Sequence, residues 1–216
     1  MDEKIEELFK SLYAFDPFSA YPKEADFAIP EIGKLAGEAR MGKAILRRLL
    51  SMYYETNKSR KHPYTRSACA EAFYQAACHR APMSLVEDEL ETMLREDGFD
   101  RFIVMALVRS DLNGVLKGKI DRFLTHDDTN YRRAARACIE SALKKGAEIS
   151  AHLKLICKVL LGEEAEAMLW AANTLLKAAQ MKQNIKGAIP ALEKAKEIKD
   201  SRIRKKVLET LELIRP

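Results

Sequence analysis

The C-terminal half of the sequence repeats itself at an interval of 36 residues, and this repeat restricts the fold more than any other feature. The segment that begins at Tyr131 recurs in outline at Ala167 and again at Ile203. Each copy follows one or two acidic residues and precedes a run of apolar residues at helical spacing. Because self-similarity at a period of about 20–50 residues is the signature of stacked repeats, the sequence predicts a helical-repeat protein.

Helical spacing of apolar residues extends over the rest of the chain. They recur at intervals of three and four, and the two-residue alternation of a half-buried strand is absent. We therefore predict an all-α fold, an α-α superhelix of about six antiparallel helix pairs, since short connections keep consecutive helices antiparallel and adjacent. The pairs are expected to form one domain over 1–216, with divergent cap pairs over 1–60 and clearer pairs over 61–216.

Local signals predict two boundaries in the N-terminal part. Pro30 interrupts the second helical pattern, and because proline is tolerated in the first turn of a helix, this helix is expected to begin near Ile29. The third helix is expected to cover about 41–55 and to be followed by a polar, basic loop over 56–62.

The last predicted helix pair carries a recognisable motif. Pro190 lies early in its first helix, and Asp200 and Arg204 open its second helix ahead of an aliphatic run. This arrangement resembles a HEAT repeat, and the same outline fits the segments 128–132 and 62–66. The resemblance implies an armadillo-type stack of helix pairs.

The resemblance also implies a role for three arginines. In HEAT-repeat proteins an aspartate and an arginine of this kind tend to link neighbouring repeats, so Arg66, Arg132 and Arg204 are expected to be structural. A bidentate arginine–carboxylate pair fixes the register of adjacent helix pairs well. The alternative, in which these arginines meet an anionic ligand, stays open. The copy at Glu164 departs from the motif, because Met168 stands where an arginine is expected.

Motifs for catalysis or cofactor binding are absent from the sequence. The four histidines are widely separated, and none of the four cysteines forms a C-x-x-C pair. No H-E-x-x-H, glycine-rich phosphate loop or nucleophile elbow occurs. The cysteines lie among apolar residues at helical spacing, which predicts buried thiols. We therefore expect a protein that is not an enzyme and that has no metal site and no cofactor.

Hydrophobic segments are short. The longest unbroken apolar run, 102–108, is far below the ~20 residues that span a bilayer. The residues from Met1 to Lys4 carry no apolar signal region. We therefore expect a cytoplasmic protein that makes no membrane contact.

The helix expected over 164–181 is apolar around most of its circumference, which is typical either of a wholly buried helix or of a binding surface. In the repeat register, Trp170 aligns with Ala134 and Lys206, which look solvent-facing, and Leu169 aligns with two basic residues. We therefore predict a non-enzymatic scaffold that binds a protein partner along the second helix of each pair. The alternative, that these apolar residues belong to the core, stays open. The candidate partner-binding residues are Arg133, Leu169, Trp170, Asn173, Lys205 and Lys206.

A second candidate surface is basic and aromatic. Cations interleaved with aromatic rings hold phosphates and stack bases in proteins that bind single-stranded nucleic acid. The alternative function is therefore a nucleic-acid-binding HEAT-like protein that contacts the DNA or RNA backbone, on the pattern of the HEAT-like DNA glycosylases. The net charge of +5 and the pI of about 8.9 are only mildly basic, so protein binding is the favoured hypothesis. The candidate anion-binding residues are Arg47, Arg48, Lys58, Arg60, Lys61 and Tyr64.

Overall fold

The computed structural model describes residues 3–13, 23–59 and 63–215, and its secondary structure within these ranges is helical, without a strand. The predicted all-α fold is confirmed. Within the described ranges there are twelve α-helices and three short 3-10 turns, the turns at Met83–Leu85, Ser150–His152 and Lys186–Ala188. The α-helices are α1 (Glu3–Tyr13), α2 (Lys23–Ala36), α3 (Gly42–Ser59), α4 (Pro63–Cys78), α5 (Glu87–Glu96), α6 (Arg101–Leu112), α7 (Lys119–Leu124), α8 (Thr129–Lys144), α9 (Leu153–Leu160), α10 (Ala165–Gln180), α11 (Ile189–Ala195) and α12 (Ser201–Ile214).

The predicted start of the second helix near Ile29 is wrong, because α2 begins at Lys23 and Pro30 lies inside it. Pro30 is exposed, whereas Ala28, Ile29 and Ile32 are buried. A proline inside a helix removes one backbone hydrogen bond. On the solvent side the freed carbonyl can be hydrated, while the buried residues hold the helix against its neighbours.

The third helix is longer than predicted, because α3 continues through Thr56 to Ser59. Thr56 is buried, and its hydroxyl donates to the carbonyls of Met52 and Tyr53 at 2.9 Å each. This return contact to the helix backbone satisfies the hydroxyl. A residue that reads as a loop residue in the sequence therefore continues the helix.

The chain divides into two compact units, residues 1–135 and 136–216, with the boundary inside α8. In the first unit α2, α4 and α6 pack in succession. Helices α1 and α3 pack on α2 and α4, and α5 and α7 pack on α6. In the second unit α10 packs on α9 and α12, and α11 packs on α9 and α12. The expectation of one domain over 1–216 stays a prediction.

A glycine sets the distance between α2 and α4 in the first unit. A Cβ added at Gly33 would lie 2.4 Å from Cβ of Gln75 and 2.8 Å from its carbonyl carbon. Real Cβ atoms do not approach backbone so closely, so the two helices can meet at this distance only because Gly33 has no side chain.

The second unit keeps the 36-residue interval. Helices α10 and α12 begin 36 residues apart, at Ala165 and Ser201, and α9 and α11 begin 36 residues apart as well. The burial pattern has the same period, since Ile139, Leu175 and Leu211 are all buried. The repeat found in the sequence is therefore a repeat of helix positions and of buried faces.

The ends of four helices carry a second regularity. Each of α4, α6, α8 and α10 is followed by a residue with positive φ, and the next residue donates its N–H to the carbonyl five residues back, a Schellman motif. Two of the four positive-φ residues, Arg80 and Lys182, are not glycine. The four closing hydrogen bonds are Ala81 to Ala76 (3.0 Å), Val115 to Ser110 (2.9 Å), Ala147 to Ala142 (3.0 Å) and Gln183 to Ala178 (3.0 Å).

Candidate functional site

Helix α10 presents one polar face with a tryptophan at its N-terminal end. Asn173, Thr174 and Lys177 lie three, four and seven residues after Trp170, so the four residues share this face. Asn173 and Lys177 are exposed and Trp170, the one tryptophan of the sequence, is half-buried. The opposite faces of α10 bury mainly alanine and leucine.

This polar face forms one wall of a groove with a volume of about 290 Å³. Its floor contains Leu143 and Leu176, which are almost completely buried. Three helices line the groove. Its lining residues are Glu140, Leu143 and Lys144 from α8, Trp170, Asn173, Thr174, Leu176, Lys177 and Gln180 from α10, and Lys206 from α12.

A hydrogen bond fixes the tryptophan in the groove wall. The indole N–H of Trp170 donates to the backbone carbonyl of Arg136 at 3.3 Å. The Nη2 of Arg136 in turn donates to Oε2 of Glu164 at 3.0 Å, and the arginine side chain is only 6% exposed. Because its one polar atom is satisfied internally, Trp170 offers the groove an apolar ring.

The groove carries an excess of positive charge. Three lysines and one glutamate line it. Lys144 pairs with Glu140 at 3.1 Å and Lys206 pairs with Glu209 at 3.4 Å, and all four side chains are at least one-third exposed. Exposed pairs of this kind are weak and exchange readily. Lys177 makes no ion pair within the part of the chain that the structure describes.

The structure brings three of the predicted partner-binding residues together in this groove, namely Trp170, Asn173 and Lys206. Leu169 is half-buried and Lys205 is exposed, and neither lines the groove. Arg133 is exposed on the part of α8 that belongs to the first unit. The sequence prediction missed Lys177 and Gln180, which the helical interval from Trp170 and Asn173 identifies.

The three arginines named from the HEAT resemblance have different environments. Arg66 contacts α3 and the residue that follows α5, because its Nε donates to the Tyr53 hydroxyl at 2.8 Å and its Nη2 lies 3.3 Å from Oδ2 of Asp97. Arg204 is exposed. Arg132 donates to nearby groups, namely the His126 carbonyl (2.7 Å), the Asp127 carbonyl (2.6 Å) and the Thr129 hydroxyl (2.8 Å).

The salt bridge between α8 and the residue that precedes α10 is made by Arg136, one helical turn after Arg132. The sequence motif therefore indicated the correct helix, α8, but named Arg132 where Arg136 makes the salt bridge. Arg136 was missed because it follows an alanine run and reads as one of many surface cations, whereas its side chain is buried. Its Nε and Nη1 make no hydrogen bond to the described residues.

The basic and aromatic surface lies mostly outside the described residues. Arg60 and Lys61 fall between the described ranges, and the side chains of Lys58 and Tyr64 are not described either. Arg47 is exposed, and the guanidinium of Arg48 lies 6.0 Å from the ring centre of Phe9. The nucleic-acid hypothesis stays a prediction for this surface.

The first unit contains a groove of similar volume, about 280 Å³. In it Glu91 accepts hydrogen bonds from Lys119 (2.6 Å) and Arg122. Burial acts to raise the pKa of Glu91, but these hydrogen bonds outweigh it and hold the pKa below its usual value. The ring of His126 stacks on Tyr131 with centroids 4.1 Å apart. The residues that line this groove are Glu91, Leu94, Arg95, Arg122, His126 and Tyr131.

A third, wider groove of about 730 Å³ lies between α9 and α11. Leu153, Leu161 and Pro190 make it largely apolar, and Lys154 and Lys194 also line it. Cys157 also lines it, but burial raises the pKa of this thiol. The groove contains no aromatic side chain and no carboxylate.

The titratable groups of the described residues bear on metal binding and on thiol reactivity. Over residues 3–13, 23–59 and 63–215, no three His, Cys, Asp or Glu side chains are placed to hold a metal ion together. Burial raises the pKa of Cys69 to about 12, so this thiol stays protonated and unreactive at neutral pH. Burial and nearby carboxylates also raise the pKa of Tyr54.

Comparisons with known proteins do not assign the chain to a family. No family model matches it, and no curated protein sequence matches it. None of the helices in the described ranges combines the length and the apolar character needed to cross a bilayer.

Proposed function

We propose that this chain is a non-enzymatic interaction scaffold built from HEAT-like helix pairs, and that it binds a segment of a protein partner in the groove between α8, α10 and α12. The half-buried ring of Trp170, held in the groove wall by its bond to the Arg136 carbonyl, carries the proposal. Tryptophan is among the side chains that most often dominate binding energy at protein interfaces. We place the protein in the cytoplasm, which suits its four free cysteines.

Two features support stacked HEAT-like pairs. Helices α10 and α12 begin at equivalent positions of the 36-residue repeat, and so do α9 and α11. The Schellman ends of α4, α6, α8 and α10 give alternate helices the same termination. A chain in which alternate helices share both start and end is typical of repeat architectures, whose extended surfaces bind partner segments.

The exposed rim of the groove, more than its volume, favours a protein segment over a small molecule. Small-molecule sites usually have volumes of about 300–1,000 Å³ and enclose most of the ligand. A volume of about 290 Å³ that opens between exposed side chains fits one or two anchor side chains of a longer segment. An apolar floor with a polar rim is also the usual anatomy of a protein–protein interface.

Site-specific photo-crosslinking tests the proposal. A photoreactive amino acid at Asn173, exposed in the groove, is expected to crosslink partner proteins in extracts of the native cell. The same amino acid at Asn184, an exposed asparagine that does not line the groove, is the matched control. Adducts that are identical from both positions, or that persist when Trp170→Ala is added to the Asn173 probe, would contradict the proposal.

A further inference from the structure

We infer that the groove between α8, α10 and α12 recognises an acidic segment, in which carboxylate side chains flank one aliphatic or aromatic anchor. This inference rests on the proposed function and names the chemical class of its partner. It depends on how charge and apolar surface are distributed within the groove, which volume and exposure alone do not reveal.

The charge around the groove comes from three separate helices. Lys144 lies on α8, Lys177 on α10 and Lys206 on α12, so each of the three helices that line the groove contributes one cation. Glu140 is the one carboxylate in the lining, and Lys144 already pairs with it at 3.1 Å. An incoming carboxylate therefore meets Lys177, which has no ion-pair partner in the described chain.

The centre of the groove is apolar where the rim is charged. Leu143 and Leu176 form the floor and the Trp170 ring forms part of the wall. The indole N–H is engaged by the Arg136 carbonyl, so it offers no donor to a polar ligand. An apolar anchor side chain fits this centre, and its burial displaces water from both surfaces.

The combination discriminates among segments of different charge. A basic segment would place its cations against three lysines, and like-charge contacts across an interface disfavour the wrong partner. A neutral apolar segment would fill the centre without using the rim. An acidic segment with an apolar anchor uses both, and its carboxylates also speed the encounter at low salt.

Selection from a random peptide library displayed on phage tests the inference without a known partner. Peptides enriched on the wild-type protein are expected to carry more Asp and Glu than Lys and Arg, around a leucine-like or aromatic residue. They are expected to be lost on Trp170→Ala and on Lys177→Glu. They should be retained on Lys158→Glu, which makes the same charge change at an exposed position of α9 outside the groove.

Synthetic peptides then give the magnitude. An enriched peptide in which every Asp and Glu is replaced by Asn and Gln is expected to bind about ten-fold more weakly, and its affinity should no longer fall with added salt. Circular dichroism and thermal unfolding of each variant separate loss of the groove from loss of the fold. Lys177 is exposed, so Lys177→Glu keeps the experiment decisive if Trp170→Ala unfolds.

The outcomes distinguish failure of the acidic segment from failure of the proposed function. Neutral or basic peptides that still require Trp170 would overturn the acidic segment and leave the proposed function standing. Peptides that bind regardless of Trp170 and Lys177, including any that dock between α9 and α11, would overturn both. Displacement of a bound acidic peptide by a single-stranded oligonucleotide of tighter affinity would overturn the inference in favour of a polyanion site.

Discussion

The two units carry grooves of almost the same volume, about 280 Å³ over residues 1–135 and about 290 Å³ over residues 136–216, but their charged side chains are arranged differently. In the first groove the carboxylate of Glu91 is held by Lys119 and Arg122, and His126 is stacked on Tyr131. In the second groove Lys177 has no ion-pair partner among the described residues.

Under the proposed function, the two grooves differ in how their charges are paired and not in their volume. A charge that is already paired and hydrogen-bonded gains little from a ligand, since the ligand must first displace its partner. A solvated cation beside an apolar floor can gain a new contact at low cost. Arg95, the exposed cation of the first groove, already donates to the Thr92 hydroxyl. We therefore interpret the groove of the first unit as part of its structure, and the groove between α8, α10 and α12 as the binding surface.

The largest expected effect concerns the support behind the second groove. In Glu164→Ala the buried guanidinium of Arg136 loses its carboxylate, and we expect a loss of about 3 kcal/mol in the free energy of unfolding. In Arg136→Met the carboxylate of Glu164 is left, and because this side chain is more exposed than Arg136, the loss of unfolding free energy should be smaller. Urea unfolding of both variants measures the difference. A greater loss for Arg136→Met would show that the arginine acts by packing.

Removing one aromatic side chain from each groove tests which groove binds the peptide. Trp170→Ala is expected to weaken an enriched acidic peptide about thirty-fold, or about 2 kcal/mol, as for an interface anchor. Tyr131→Ala in the first unit breaks the stacking on His126 and is expected to lower stability while leaving peptide affinity unchanged. Isothermal titration calorimetry measures both, and equal losses of affinity would remove the distinction between the grooves.

Charge reversal sharpens the contrast at the rims. Lys177→Glu is expected to weaken the acidic peptide about ten-fold at low salt and less at high salt, since salt screens exposed charges. Arg95→Glu is the counterpart in the first groove, where Arg95 is exposed and donates to the Thr92 hydroxyl at 2.8 Å. This variant should leave peptide affinity unchanged. A salt-independent effect of Lys177→Glu would point to a steric cause.

The smallest expected effect is the acid response of the first groove. The pKa of Glu91 is below its usual value of 4.5, so its contribution to stability is complete above pH 4.5 and is lost as the pH falls through the lowered pKa. Glu91→Gln should cost about 1 kcal/mol at neutral pH. The free energy of unfolding of Glu91→Gln should also fall less than that of the wild type below pH 4.5. If chemical unfolding shows that both proteins lose the same free energy of unfolding as the pH falls below 4.5, the ion pairs of Glu91 do not contribute to the acid response.

Much of the second unit could be predicted from the sequence, because its repeat is nearly regular. The predicted second helix of the last pair agrees with α12, whose N-cap is Asp200. The alignment of Trp170 with Lys206 led to two residues of the groove, but the expectation that Ala134 faces solvent in the same register is wrong, because Ala134 is buried. The sequence left open whether α10 is wholly buried or forms a binding surface; in the structure it buries Leu175 and exposes Asn173, and its role in binding stays a prediction.

The remaining features depend on tertiary structure. The solvent exposure of Pro30 and the return hydrogen bond of Thr56 allow helices to continue where local rules end them. Lys182 adopts a left-handed conformation at a helix end where glycine is usual. The buried position of Arg136 was hidden because sequence alone does not distinguish a solvated arginine from a buried one.

Trp170 provides the most direct measurement, because it is the one tryptophan in the chain and it lines the groove. When an enriched acidic peptide without tryptophan is added, the fluorescence emission of Trp170 should shift to the blue and acrylamide should quench it less. Both changes should occur over the peptide concentrations at which calorimetry detects binding. If the peptide binds by calorimetry while the emission and quenching of Trp170 stay unchanged, the partner does not occupy this groove.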